Sequence, residues 1–393
     1  MPFAELEQIA AVWKEAFSRG ESGVLATVVR IHGSTYRRAG AKLLLTSGGR
    51  RSGAVSGGCL EADLVKKAWW LTEGGTIALR RYDTGADGEI AQEFGLGCNG
   101  VIHVLLERLR EGSISPLNAV FPIKETRTPA AISTLISTSA DGPLHAGQRW
   151  LCLPGGSVET DLPDSPIRSF LSDEGALAIK RATSHVVTWR SESQAADFFI
   201  EPLFPASRLL VMGAGDDAIP VTRLAKLLGY EVVVLDGRSH MARADRFPQA
   251  DRVVVNSSVD PLAGIPVDQW TAAVLMSHSY EQDRNALRRL AAEPLQYLGV
   301  LGPRKRTEQM LGDIGVSEET LPENLHSPVG LDIGADGPEQ IALAVISEIQ
   351  AVLNERAGGR LRVKAGPLHP RTGPCPDGLD FSPSAAGCAL NAS

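Results

Sequence analysis

The chain has 393 residues, of which 43% are hydrophobic and 22% charged, a composition typical of a globular protein with room for two cores. Its formal net charge of −7 argues against a nucleic-acid-binding protein, which usually has a concentrated basic face. The N-terminal segment lacks the basic-then-apolar order of a signal peptide, and no apolar run is long enough to span a bilayer. The five cysteines form no CxxC pair, so we expect free thiols and a cytoplasmic protein.

The first half of the chain predicts a mixed α+β domain, residues 1–200, with long glycine-containing loops. Apolar residues recur at three- and four-residue steps from Phe3 to Phe17, which predicts a helix that ends at Gly20. A second helix is predicted from Cys59 to Leu71. Short β-rich runs predict strands at 24–31, 43–46, 76–82, 101–106 and 130–136.

The second half predicts a Rossmann-like, doubly wound parallel sheet, residues 207–356, because buried-strand patterns alternate with helical ones. The remaining residues, 357–393, are rich in Pro, Gly, Ser and Ala and lack periodicity, so we expect a disordered tail. Strands are predicted at 208–212, 231–235, 252–256, 271–276 and 297–301, and helices at 219–228 and 338–353.

A glycine-rich turn opens the second half. Gly213 and Gly215 follow a predicted strand and precede a helix, and Asp236 ends the next strand, where an acid would meet a ribose hydroxyl. This arrangement is typical of a dinucleotide site. The alternative is a purely structural turn, since Asp216 and Asp217 would repel a pyrophosphate and complement the helix dipole instead.

Two cysteines lie in glycine-rich loops in the first half. Gly57 and Gly58 precede Cys59 at a predicted helix N-terminus, a position that favours the thiolate, and Glu61 follows in the first turn. Cys98 lies within the second loop, GLGCNG. Two such thiols could bind a soft metal or a dithiolene-bearing cofactor. Alternatively, each cysteine is a small buried apolar residue in a tight turn.

Two further groups of polar residues are candidates for ligand contact. Arg37, Arg38 and Lys42 lie in the loop HGSTYRRAGAK, and such cations suit phosphate recognition, although a solvated basic loop has the same composition. His278 follows a predicted strand at the edge where doubly wound sheets bind ligands. It could act as an acid or base or contact a ligand, or be a structural histidine.

Taken together, these motifs resemble the XdhC/CoxI family of xanthine dehydrogenase accessory proteins. The resemblance covers about residues 5–355 in order. Tyr36 stands where a proline is common in the family, and Asn99 where a glycine is common. The matching stretches are GSTYRRAGAK, SGGCLEADLV, GLGCNG, FIEPLFPASRLLVMGAG, VLDGR with ADRF, VLMSHSYEQD, YLGVLGPRKR and HSPVGLDIGADGPEQIALAVISEI.

The resemblance implies a chaperone that binds the molybdenum cofactor, holds it for sulfuration by a cysteine desulfurase, and passes it to a molybdenum hydroxylase. It implies an N-terminal cofactor-associated domain and a C-terminal Rossmann domain. The resemblance does not decide whether the protein forms a homodimer or whether the Rossmann domain binds a nucleotide. Carried over by residue, the cofactor site comprises Cys59 and Cys98, which are also candidate metal ligands, together with Gly57, Gly58 and Glu61. From their charge, we infer that Arg37, Arg38 and Lys42 are candidates for contact with the pterin phosphate.

Two other functions remain open at this point. An NAD(P)-dependent oxidoreductase would use the second domain, with Gly213, Gly215 and Asp236 at the coenzyme, whereas His278 is a candidate general acid or base or a contact to the pterin. A purely protein-binding assembly factor would bind neither cofactor nor nucleotide. The accessory role makes the chain a carrier rather than an enzyme with its own substrate.

Overall fold

The computed structural model describes residues 1–33, 35–75, 77–83, 100–139, 142–192, 194–316 and 321–363, and for Cys59 the backbone alone. The predicted loop around Cys98 and residues 364–393 of the predicted tail therefore lie outside the described residues. No helix in the described ranges is long and apolar enough to cross a membrane.

The first sheet is antiparallel, and two helices pack against it: α1 (Phe3–Ser18) and α2 (Cys59–Leu71). Helix α2 places Leu60, Leu64 and Ala68 on one side, because residues four apart share a helix face, and these residues pack on the sheet. In spatial order the strands are β3 (Arg51–Gly53), β2 (Lys42–Thr46), β1 (Gly23–Gly33), β5 (Gly100–Leu109) and β4 (Ala78–Asp83).

The second sheet is also antiparallel and follows a short helix, α3 (Val120–Thr126). Helix α4 (Ile167–Arg181) covers its outer face through Ile167, Leu171 and Ala178. In spatial order the strands are β8 (Val158–Thr160), β7 (Arg149–Cys152), β6 (Ala130–Thr138), β10 (Ala195–Leu203) and β9 (His185–Arg190).

The inner faces of these two sheets pack against each other. Two buried ion pairs cross the interface: Lys42 Nζ lies 2.6 Å from Glu201 Oε1, and an Arg149 guanidinium nitrogen lies 2.6 Å from Glu107 Oε1. Because a buried charge is costly without its partner, these pairs fix how the sheets meet. Beside them lies a small apolar cluster of Val29, Leu105, Ile136 and Phe199.

The remaining chain forms a six-stranded parallel sheet between two helical layers. Its order is β13 (Arg252–Val255), β12 (Glu231–Asp236), β11 (Arg208–Met212), β14 (Thr271–Leu275), β15 (Tyr297–Val300) and β16 (Leu325–His326). The helices are α5 (Ala218–Leu227), α6 (Tyr280–Leu290), α7 (Arg304–Asp313) and α8 (Pro338–Val352).

The strand order of the parallel sheet reverses between β11 and β14, which is the ligand-binding switch point of a doubly wound fold. Apolar side chains of β11, β12 and β14 alternate between two cores, one shared with α5 and α8 and the other with α6 and α7. The prediction of a mixed N-terminal region followed by a Rossmann-like parallel sheet is confirmed.

One arginine joins the second antiparallel sheet to the parallel sheet. Arg127, which directly follows α3, bonds Asp268 at 2.6 Å and Glu231 at 2.8 Å, and donates to the Ala206 carbonyl at 3.2 Å. These bonds lie next to the connection between β10 and β11. The proposed limits of the two domains, 1–200 and 207–356, stay a prediction.

Candidate functional site

One carboxylate organises the loop that leads into α2. Glu61 accepts hydrogen bonds from the backbone N–H groups of Val55 at 3.0 Å, Ser56 at 2.8 Å and Gly58 at 3.0 Å, and from the Ser56 hydroxyl. Burial alone would raise the pKa of Glu61, but these hydrogen bonds outweigh it and hold the pKa below its ordinary value. The loop therefore has a defined shape around an ionised acid.

The backbone just before Cys59 borders open space. Gly58 has a φ of 116°, in the left-handed region that favours glycine, and a Cβ added there would meet no atom within 4 Å. At Gly57 an added Cβ would lie 3.8 Å from ring atoms of Tyr36, whose side chain is exposed. The loop of Tyr36 and the loop of Cys59 thus meet at an accessible surface, which is where a cofactor could approach the cysteine.

Two of the predicted phosphate contacts already have carboxylate partners. Arg37 bonds both oxygens of Glu5, at 2.5 and 2.7 Å. Lys42 is fully buried in its ion pair with Glu201 and also donates to a backbone carbonyl. Each of these two side chains therefore neutralises an acid of its own chain, and their role as phosphate contacts stays a prediction. Arg38 is exposed and stays a candidate.

The predicted pair of thiolates is not among the described side chains. Cys98 lies within residues 84–99, and only the backbone of Cys59 is described, as the first residue of α2. Across the side chains that are described, no group of three or more His, Cys, Asp or Glu residues is arranged to hold a metal ion. The two cysteines as cofactor or metal ligands stay a prediction.

Gly213 and Gly215, the glycines of the predicted dinucleotide turn, lie close to neighbouring segments of the chain. A Cβ on Gly213, whose φ is 137°, would lie 2.5 Å from the Met276 carbonyl oxygen at the end of β14. A Cβ on Gly215 would overlap the Asp217 carboxylate. Gly213 therefore requires glycine for the packing of the turn itself, whether or not a nucleotide binds, whereas at Gly215 the flexible Asp217 side chain would only have to move.

Asp236, the predicted ribose contact, is buried and bonded to its own chain. It accepts from the backbone N–H of Ala214 at 2.8 Å, and the Arg238 guanidinium donates to both of its oxygens, at 3.0 and 2.7 Å. Burial would raise the pKa of Asp236, but the bonds from Arg238 and the backbone lower it below its ordinary value. A ribose hydroxyl would have to displace Arg238 to reach this carboxylate.

His278 bridges the switch point between β11 and β14. Its side chain is 63% exposed and its Nε2 donates to Asp217 Oδ2 at 2.8 Å, while its backbone has an unusual φ of 59°. Asp217 therefore does not cap α5, and Asp216 pairs with Arg246 at 2.6 Å instead of capping. The cavity at this edge has a volume of about 10 Å³, room for about one water molecule.

A larger cleft lies on the outer side of the parallel sheet's helices. It has a volume of about 540 Å³ and lies between α5 and α8. Among the described residues, Gly213, Gly215 and His278 do not line it. Its lining residues are Asp216, Ile219, Pro220, Arg223, Leu224, Glu339 and Leu343.

Sequence reasoning missed the side chains that hold the loop before Cys59 and the glycine turn of the parallel sheet in shape. Ser56 could have been found, because a serine five residues before Glu61 in a glycine loop is a typical hydrogen-bond donor. Arg238 also had a local signal, an arginine two residues after a strand-end acid. Arg246 lies in the ADRF stretch, but nothing local indicated its pairing with Asp216, which is 30 residues away.

Comparison with known proteins matches both halves of the chain to one family. The model of the XdhC and CoxI family matches residues 16–83, and that of the XdhC Rossmann domain matches residues 209–349. The chain is similar to a probable xanthine dehydrogenase subunit from Bacillus subtilis (strain 168), with 32% identity over 84% of this chain and 92% of the relative.

Two further relatives extend this likeness. The molybdenum cofactor insertion chaperone PaoD of Escherichia coli (strain K12) is 26% identical over 86% of each chain. A crystal structure of a xanthine dehydrogenase from Bacillus halodurans superimposes with a TM-score of 0.72 and 25% identity, covering 91% of this chain and 98% of that one. On these matches, and in agreement with the motifs in its sequence, the chain belongs to the XdhC and CoxI family.

Proposed function

We propose that this chain is a molybdenum cofactor chaperone, which holds the cofactor during sulfuration by a cysteine desulfurase and delivers it to a molybdenum hydroxylase of the xanthine dehydrogenase type. The observation that carries this proposal is the match to a molybdenum cofactor insertion chaperone over 86% of each chain. A match of this coverage spans both the loop of Cys59 and the parallel sheet of this chain, so it supports the proposal for both parts of the chain.

The open surface before Cys59 is the proposed cofactor site. Molybdenum in this cofactor takes sulfur ligands, so the thiolates of Cys59 and Cys98 would hold the cofactor through its metal. When bound, the cofactor brings the molybdenum redox chemistry that the client enzyme uses. Gly57 and Gly58 let it approach the backbone, and Glu61 keeps the loop in shape without donating a ligand itself.

A transfer experiment tests delivery. The chain, purified from cells with active cofactor synthesis, is mixed with a cofactor-free molybdenum hydroxylase, which is re-isolated and analysed for molybdenum by mass spectrometry. We expect molybdenum to appear in the hydroxylase from wild type and from a Cys152→Ala control, but not from Cys59→Ala. Equal transfer from all three would contradict the proposed site.

A second candidate, the NAD(P)-dependent oxidoreductase, is favoured by the glycine turn at the switch point of the parallel sheet. Two contacts weigh against it. Arg238 occupies the carboxylate of Asp236, and the bond between His278 and Asp217 spans the crevice that a pyrophosphate would enter. We therefore prefer the chaperone, in which the parallel sheet supports the cofactor domain and docks partners.

A further inference from the structure

Three cationic or titratable side chains lie side by side on one rung of the first sheet. In the strand register, Arg30 of β1 and Arg81 of β4 both pair with His103 of β5, which lies between them. Directly opposed residues of neighbouring strands point to the same face. His32, two residues after Arg30, shares this face, and its ring centre lies 5.9 Å from that of His103.

Two acidic side chains of the described residues, Asp197 and Asp83, lie near this row of residues. Arg30 lies 3.4 Å from Asp197, which also accepts from Thr188 at 2.6 Å and from Ser137 at 3.3 Å. Arg81 bonds Asp83 at 2.8 Å, and this pair is exposed, so water weakens it. Arg30 and Arg81 flank His103, and besides burial the positive charges of both lower the pKa of its ring, so both would attract an anion that binds beside this ring.

The histidines are neutral in this setting. Burial, followed by the charge of Arg30, lowers the pKa of His103 to about 4, and the same two causes lower the pKa of His32. Within the described residues, His103 Nδ1 is buried and has no hydrogen-bond partner. A buried N–H without an acceptor is costly, so the proton of the neutral ring belongs on Nε2, which is then a hydrogen-bond donor.

The cluster lies at the end of the sheet that borders the proposed cofactor site. Beyond the pair of Arg30 and His103, the residue pairs that join β1 to β5 include His32 with Val101 and Gly33 with Gly100. After Gly33 the chain enters the loop of Tyr36 and Arg38, and Gly100 directly follows the loop that contains Cys98. Both predicted ligand loops therefore leave the sheet beside these side chains.

We propose that Arg30, His32, Arg81 and His103 form an anion site for a phosphate monoester, which in this chain is the phosphate of the pterin cofactor. Guanidinium groups bind phosphate oxygens through paired N–H donors, and the imidazole N–H groups add neutral donors. The site takes the role that sequence reasoning gave to Arg37 and Lys42, which are paired with Glu5 and Glu201. The assignment to the pterin rests on the proposed chaperone function.

The first test is a phosphate titration of the full chain, followed by NMR of the histidine ring protons. We expect inorganic phosphate to raise the pKa of His103 and His32 by about one unit relative to chloride, since a nearby anion favours the protonated ring. Arg81→Gln should abolish this rise. Arg80→Gln is the matched control, because Arg80 pairs with Val104 and so points to the opposite face. Equal behaviour of the two variants overturns the site.

The second test compares a pterin alcohol, its phosphate monoester, and adenosine monophosphate as ligands in calorimetry. We expect the pterin phosphate to bind about tenfold tighter than the alcohol in wild type and in Arg80→Gln, but not in Arg81→Gln. Equal binding of adenosine monophosphate overturns the assignment to the pterin. One outcome separates the two proposals. Wild type purified from cells with active cofactor synthesis could hold no molybdenum cofactor, yet bind the pterin phosphate more tightly than the alcohol, with this preference lost in Arg81→Gln. That result would contradict the chaperone function and support the anion site.

Discussion

At the scale of single residues, Glu61 decides the shape of the loop before Cys59. Glu61→Gln replaces one carboxylate oxygen by an NH2 group, which would face either the N–H of Gly58 or the N–H groups of Val55 and Ser56. We expect a loss of about 1–3 kcal/mol in the free energy of unfolding, measured in urea at pH 7. Glu125→Gln, on an exposed helix position, is the control and should change little.

The pH dependence of this effect follows from the lowered pKa of Glu61. A group with a lowered folded-state pKa stabilises the protein above its unfolded pKa of about 4.3, and this stabilisation is lost as the pH falls through the folded value. The difference between wild type and Glu61→Gln should therefore shrink below about pH 4. A difference that stays constant down to pH 3 would show that ionisation of Glu61 is irrelevant.

Two neighbouring glycines of the same loop provide a matched pair. Gly58 has a φ of 116°, so Gly58→Ala should cost about 1–2 kcal/mol through backbone strain alone, since a Cβ there has open space. At Gly57 a Cβ would make only an ordinary contact with Tyr36, so Gly57→Ala should cost less than about 0.5 kcal/mol. Thermal unfolding measures both, and equal melting temperatures would argue against this loop conformation.

At the scale of elements, the contact between the two antiparallel sheets depends on the buried pair of Lys42 and Glu201. Glu201→Gln leaves the ammonium group of Lys42 buried without a counter-charge, so we expect a loss of about 3–5 kcal/mol in denaturant unfolding. The double variant Lys42→Met with Glu201→Leu should recover most of it. Glu7→Gln is the control, because it breaks an exposed pair with Lys124 and should cost under about 1 kcal/mol. A similar loss of stability in Glu201→Gln and in Glu7→Gln would contradict this account.

The same elements show what the sequence can and cannot predict. The parallel sheet was predictable because its strands are short, apolar and separated by glycine turns such as Gly213. Helix α4 was missed because Gly175 interrupts its apolar pattern; a Cβ there would lie 3.1 Å from Ala131 Cβ, so glycine lets the helix approach the second sheet. The burial of Lys42 was also unpredictable, since its partner lies 159 residues away.

At the scale of the whole molecule, the chaperone and the oxidoreductase differ in what they bind. Because Arg238 holds Asp236 and His278 bonds Asp217 across the crevice, we expect flat calorimetric titrations with NAD⁺ and NADP⁺. The control is Asp236→Ala, which should behave like wild type in these titrations. Saturable coenzyme binding that is lost in this variant would instead support the oxidoreductase.

The most direct measurement is the molybdenum and pterin content of the chain purified from cells with active cofactor synthesis. Wild type and Cys152→Ala, a cysteine at the end of strand β7, are compared with Cys59→Ala and Cys98→Ala. The chaperone account predicts about one molybdenum and one pterin per chain in the first two, and loss of both in either of the others. A wild-type protein without cofactor, or cofactor retained in both cysteine variants, would contradict it.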